Sequence, residues 1–117
     1  MDSTSIRDLI KRLLDSTKNG KLSWEETADE NTFRLILDVG ILHIQRLRHN
    51  PAHSNGVQGD YRLSLLNENN ALVGDFEGEE ANDYRLLYEL YEAGRLSALR
   101  PNDFLRQVQD EVIRRSG

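Results

Sequence analysis

The spacing of apolar residues changes twice along this chain, and this change restricts the fold more than any other feature. In residues 6–17 the apolar side chains recur at the spacing of one helical face, namely Ile6, Leu9, Ile10, Leu13 and Leu14. From Phe33 the run TFRLILD alternates apolar and polar residues, which is the period of a strand with one buried face. The helical spacing returns after residue 82. The order of the periods therefore predicts an α+β domain.

Two hairpins are predicted between the helices. The segment ILHIQRLR returns after Val39-Gly40, and YRLSLL and ALVGDF flank the turn NENN. If Asp38 and Ile41 flank the first turn, Leu37 faces Leu42 and Leu35 faces Ile44. The second hairpin then sets Tyr61, Leu63 and Leu65 against Phe76, Gly74 and Leu72 on the inner face, with Arg62 opposite Asp75 outside. The alternation separates an apolar inner face from a mixed outer face.

Turn and capping residues divide the helical segments. Ser5 is the predicted N-cap of the first helix and Gly20 ends it, whereas Asn82 or Asp83 caps a second helix that runs to about residue 99. Arg100-Pro101 interrupts this helix, and five apolar residues mark a last one: Phe104, Leu105, Val108, Val112 and Ile113. The prediction is one domain, residues 1–117, with a four-stranded antiparallel sheet, helices on one face and the order α-β-β-β-β-α-α.

Composition excludes some functions and disfavours others. The chain has 117 residues and a net charge of -5. It contains no cysteine, so disulfides and thiolate chemistry are excluded. The acidic excess lies in DFEGEEAND and disfavours a nucleic-acid partner. Weak nucleic-acid binding through Arg46, Arg48, Arg62 and the basic C-terminal segment stays an alternative. The start, MDSTSIRDLI, has no secretory pattern and no apolar run is long enough for a membrane span, so we expect a cytoplasmic protein.

All three histidines lie in HIQRLRHNPAHSNG, as His43, His49 and His53. Pro51 disfavours the continuous helix that would hold His49 and His53 together as metal ligands. No nucleophile-elbow, phosphate-loop or HExxH pattern occurs. We therefore expect surface histidines and predict no catalytic residue, metal or other cofactor. The alternative is a small metal-dependent enzyme that uses this histidine region.

The predicted outer sheet face combines an apolar centre with a polar border, which is typical of an interaction surface or a homodimer seam. Its predicted contact residues are Arg34, Ile36, Ile41, His43, Gln45, Arg62, Leu66 and Val73. The alternative is a scatter of exposed apolar residues without a function. Trp24, Tyr84 and Tyr88 are secondary contact candidates, for which core packing is the alternative.

The successive motifs GKLSWEET, NTF, YRLSLLNENNALV and LLYELYEAGR resemble a broad group of small, mostly uncharacterised bacterial domains. The resemblance extends over roughly Leu9 to Val112 and consists of structural motifs. It implies a bacterial cytoplasmic α+β domain and transfers no site residues. The missing catalytic patterns and the patch on the predicted outer sheet face together predict a non-enzymatic protein-interaction module, either a regulatory or accessory subunit or an immunity-type inhibitor. The predicted partner is another protein, or a second copy in a homodimer.

Overall fold

The computed structural model describes residues 2–47 and 60–116, and its elements follow the predicted order with one added strand. The helices are α1 (Ser3–Lys18), α2 (Ala81–Leu99) and α3 (Pro101–Ser116). The strands are β1 (Glu25–Glu26), β2 (Thr32–Leu37), β3 (Gly40–Arg46), β4 (Tyr61–Asn67) and β5 (Leu72–Phe76). The α+β class and the antiparallel sheet are confirmed, but the sheet has five strands, in the order β1-β2-β3-β4-β5, and not four.

The strand absent from the prediction is β1, which pairs with β2 at the edge of the sheet. It contains only Glu25 and Glu26, opposite Arg34 and Phe33. Two polar, exposed residues show no alternation, so periodicity gives no sign of such a strand. Its shortness also leaves few backbone groups unpaired at that edge of the sheet.

The predicted registers of both hairpins are displaced by two residues. Asp38 and Val39 form the first turn themselves, so Leu37 pairs with Gly40 and Leu35 pairs with Leu42. In the second hairpin Leu63 faces Phe76 and Leu65 faces Gly74. Because side chains alternate with a period of two, an even displacement changes each partner but leaves the face assignments intact.

A bulge near the second turn produces the one exception to these face assignments. The register shifts between Leu65 and Leu66, so that Leu66 pairs with Leu72 and Val73 becomes the additional residue of β5. Leu72 is therefore exposed, although the prediction placed it on the inner face. In the adjoining turn Asn70 adopts a φ of 63°, a left-handed conformation that asparagine tolerates.

The core lies between the inner sheet face and the first two helices. Helix α2 contacts β1, β2, β3 and β4, and α1 packs against α2. One cluster of buried residues joins the layers: Ile6, Ile10, Leu13, Trp24, Phe33, Leu35, Leu42, Ile44, Tyr61, Leu63, Phe76, Leu87, Leu90 and Tyr91. Most of the predicted inward positions of α1, α2 and the two hairpins meet in this cluster, whereas Leu37 at the end of β2 is exposed.

Both predicted helix starts are wrong by several residues. Asp2, not Ser5, caps α1, and its side chain accepts a hydrogen bond from the backbone N–H of Thr4 at 3.3 Å. Glu80 caps α2, whose third residue is Asp83. The side chain of Asp83 accepts the backbone N–H of Glu80 at 2.9 Å, which completes a capping box. The predicted end of α2 at about residue 99 is confirmed, because the helix ends at Leu99 and Arg100 follows it in a left-handed conformation.

The last helix departs from the predicted packing on one sheet face. Helix α3 follows α2 after Arg100, yet none of its residues is buried. Its apolar stripe was a correct indication of a helix, but the stripe does not face the core. The described sheet is therefore covered by α1 and α2 on its inner side, and α3 lies apart from them.

Candidate interaction surface

The outer face of the sheet is arranged in rows of cross-strand partners. One row runs from Ile36 through Ile41 and Leu66 to Leu72, one residue from each of four neighbouring strands. We call these four residues the apolar row. It lies at the end of the sheet near the β2–β3 turn, where Val39 is also exposed. The hairpin geometry thus gathers apolar side chains that are up to 36 positions apart in the sequence.

The adjacent row is polar. It contains Arg34, His43, Ser64 and Asp75 as successive cross-strand partners, and Glu25 of β1 extends it beyond Arg34. Nε of Arg34 donates to Oε2 of Glu25 at 3.1 Å, so the charge at this end is paired within the chain. The apolar row therefore has a polar row directly beside it.

A second ion pair lies farther along the outer face. Arg62, opposite Gln45 on β3, does not face Asp75 as predicted. Its Nη2 instead donates to Oε1 of Glu77 at 2.6 Å, and its Nε donates to the same oxygen at 3.0 Å. The two ion pairs form part of the polar border, and each of these charged groups has its partner within the chain.

The structure leaves all eight predicted contact residues accessible to some degree, because none of them is buried. Seven take part in the outer-face pairings: Arg34, Ile36, Ile41, His43, Gln45, Arg62 and Leu66. Val73 lies at the bulge and is 67% exposed, beside Leu72. Sequence reasoning omitted Leu72 from this surface, because the alternation within β5 gives no sign of the bulge that turns it outward.

The secondary candidates separate into one buried and two accessible residues. Trp24 is only 1% exposed, and its Nε1 donates to Oγ1 of Thr17 at 2.9 Å within the core. Its side chain therefore packs in the core, which is the position that the core alternative predicts. Tyr84 is partly buried, whereas Tyr88 is exposed and sets its ring edge-on against Tyr61 with centroids 5.7 Å apart.

Of the three histidines, only His43 falls within the described residues, and His49 and His53 lie outside them together with Arg48. Burial lowers the pKa of His43, and the positive charge of Arg34 lowers it further. Both effects favour the neutral imidazole of His43. Within residues 2–47 and 60–116, no three histidine, aspartate or glutamate side chains come together as metal ligands.

Comparisons with protein-family models, curated proteins and solved structures found no match to this chain. Among the described residues, no helix has both the length and the apolar content needed to cross a membrane.

Proposed function

We propose that this chain is a non-enzymatic interaction module that binds another protein through the outer face of its sheet. A regulatory or accessory subunit and an immunity-type inhibitor both act in this way. The expected partner presents an apolar patch with polar groups around it, so that its apolar centre covers the apolar row. Its rim then meets the Glu25–Arg34 and Arg62–Glu77 pairs.

The observation that carries the proposal is the apolar row itself. Ile36 is 52% exposed and Leu72 is 60% exposed, and Ile41 and Leu66 join them across the sheet. Burial of apolar surface contributes about 25 cal/mol per Å², and a contiguous row concentrates this contribution in one place. An apolar centre with a polar rim is the arrangement found at protein–protein interfaces.

The proposal is tested by binding with matched variants. Ile36→Asp places a charge at the β2 end of the apolar row, and Arg12→Gln makes the same change in net charge at an exposed position of α1. The wild type and both variants are used as bait against lysate, and any captured protein is then purified. Binding is measured by titration calorimetry, with intact folding verified from the fluorescence of buried Trp24.

The proposal predicts one-to-one binding of the purified partner by the wild type and by Arg12→Gln. Ile36→Asp should raise the dissociation constant by at least about tenfold, because it buries an unpaired carboxylate in the contact. Equal affinity of the two variants would show that the contact lies elsewhere on the molecule. A captured protein that does not bind after purification would also count against the proposal.

A further inference from the structure

The polar row of the outer sheet face carries opposite charges on its second and last strands. Arg34 lies on β2 and Asp75 lies on β5, and the side chains of His43 and Ser64 separate them. The two charged groups are therefore too far apart in the row to be direct cross-strand partners. Each of them faces away from the core and can meet a group of another molecule.

Both charged groups have hydrogen-bonding capacity that the described residues do not use. Arg34 donates to Glu25 from Nε, and neither of its Nη atoms has a hydrogen bond to a described residue. Asp75 is exposed, and it forms no hydrogen bond or ion pair with the described part of the chain. A guanidinium has further N–H donors beyond the one on Nε, so Arg34 can bind a second carboxylate and keep Glu25.

A second copy of the same face supplies the missing partners. Two sheets can pack face to face with their strands nearly aligned. A twofold axis parallel to the strands, between β3 and β4, then places β2 of one copy over β5 of the other. This operation sets Arg34 over Asp75 of the second copy, and by symmetry it forms the same pair a second time.

The apolar row matches itself under the same operation. Ile36 of one copy lies over Leu72 of the other, and Ile41 lies over Leu66, because these residues come from β2 and β5 and from β3 and β4. Leu72 is 60% exposed and Ile36 is 52% exposed, so the outer pairs have apolar surface to bury. Apolar residues thus meet apolar residues along the whole row.

The charges also select this axis over the alternative. A twofold axis across the strands and along the polar row would place Arg34 over Arg34 and Asp75 over Asp75. An axis across the strands and along the apolar row would carry the polar rows away from each other. Only the axis parallel to the strands joins the apolar rows and the opposite charges at once.

We infer that a second copy of this chain covers the outer sheet face in the free protein, with Arg34 of each copy bound to Asp75 of the other. The second copy occupies the same face as the partner of the proposed function, on which this inference rests. The partner must therefore displace it, so that self-association regulates access to the face.

The size of the contact predicts a weak dimer. Four overlapping strands span about 19 Å and three rows of side chains span about 20 Å, which gives a footprint of roughly 400 Å² on each copy. Projecting side chains add accessible area, so both copies together bury roughly 1,000 Å² or slightly less, at the lower end for specific complexes. We expect a dissociation constant on the order of 10 µM and rapid exchange, which suits a contact that a partner replaces.

The oligomeric state of the full chain is the first test. Sedimentation equilibrium from about 1 µM to about 1 mM should show wild-type chains passing from 13.5 kDa to twice that mass. Ile36→Asp should raise the dimer dissociation constant at least about tenfold, because it sets a carboxylate against Leu72 of the second copy. Arg12→Gln makes the same change in net charge and should leave the dimer intact. Fluorescence of buried Trp24 verifies the fold of each variant.

A charge exchange tests the axis. Arg34→Glu and Asp75→Arg should each raise the dissociation constant about tenfold at low salt, since each replaces two attractive pairs by repulsive ones. An equimolar mixture should form a heterodimer close to wild-type strength, because it joins the introduced glutamate to the introduced arginine and keeps one native pair. Arg106→Glu and Asp110→Arg make the same changes in net charge at exposed positions of α3 and should leave the wild-type dimerisation unchanged.

The outcomes separate self-association from the proposed function. A wild type that stays monomeric overturns the inference, although the binding of a partner to the same face would still stand. A dimer that survives Ile36→Asp overturns it as well, because the contact then lies on another surface. A mixture of the charge variants that stays as weak as either one alone excludes the proposed axis. A dimer that is lost with Ile36→Asp and restored in the mixture supports the inference even if no other protein binds.

Discussion

At the scale of single residues, the ion pair between Arg7 and Asp83 joins the first and second helices. Asp83 is 1% exposed, and its two carboxylate oxygens accept from Nε and Nη2 of Arg7 at 2.8 and 3.1 Å. The same carboxylate accepts the backbone N–H groups of Glu79 and Glu80, both at 2.9 Å. One side chain thus holds α1 against α2 and caps the start of α2.

We expect Asp83→Asn to lower the free energy of unfolding by about 2 kcal/mol. The amide cannot accept two hydrogen bonds from the guanidinium, and it leaves a partly buried Arg7 without its charged partner. Glu79→Gln is the matched control, because Glu79 contacts the same arginine from an exposed position at 3.5 Å. Urea denaturation should give a change within about 0.5 kcal/mol for that control. Equal losses in the two variants would contradict the importance of the buried carboxylate.

The stabilisation by Asp83 should disappear in acid. The hydrogen bond from Arg7 lowers the pKa of Asp83 from 3.8 to about 2, so folding favours its ionised form. Its contribution, about 2 kcal/mol, is complete above the unfolded pKa and is lost as the pH falls through the folded pKa. The difference in unfolding free energy between wild type and Asp83→Asn should therefore shrink between pH 7 and pH 2. A difference that stays constant would mean that the carboxylate's charge is irrelevant.

At the scale of secondary-structure elements, two buried glycines permit close contacts of different kinds. A Cβ at Gly40 would collide with the backbone carbonyl oxygen of Leu66 on the neighbouring strand. At Gly94, in α2, a Cβ would lie 3.4 Å from Trp24 and 3.5 Å from Ile44, which is close to ordinary van der Waals contact. The first glycine is required by the pairing of two strands, whereas the second only allows helix and sheet to approach.

Substitution by alanine should therefore destabilise the fold at Gly40 but not at Gly94. Gly40→Ala should lower the free energy of unfolding by about 2 kcal/mol or more, because the obstacle is backbone that cannot move without breaking the β3–β4 pairing. Gly94→Ala should leave it unchanged or raise it by up to about 1 kcal/mol, since alanine is the better helix former. Thermal and urea denaturation of the two variants measure these changes in the free energy of unfolding. A larger loss at Gly94 than at Gly40 would contradict the described packing.

At the scale of the whole molecule, the described residues form one packed body with α3 beside it. All members of the core cluster belong to segments before residue 92, and none belongs to α3. The packed body carries the outer sheet face, and α3 adds no buried side chain to it.

Removal of residues 101–117 should leave the body folded. The free energy of unfolding should fall by no more than about 1 kcal/mol, because no buried contact is lost. Fluorescence of Trp24, the only tryptophan and a buried one, reports the core. Leu90→Ala, which should cost about 3 kcal/mol, shows that the assay detects core damage. Loss of cooperative unfolding on truncation would contradict the separation of body and α3.

The order and period of the apolar residues predicted much of this fold before any contact was known. Residues such as Phe33, Leu35 and Leu63 are buried as their alternation predicts, and Leu87, Leu90 and Tyr91 are buried as their helical spacing predicts. The outer-face candidates also follow from alternation, because a register error of two residues does not move a side chain to the other face. Local periodicity therefore determined the fold class and most of the candidate surface.

Only the tertiary structure decided the features that depend on distant residues. Leu72 joins the apolar row through a bulge, and Arg7 reaches Asp83 across 76 positions of sequence. The sequence likewise did not determine whether Trp24 and the apolar stripe of α3 are buried. An apolar pattern shows which side of an element avoids water but not what covers it. Periodicity is a property of each segment alone, whereas pairing and burial depend on which segments meet.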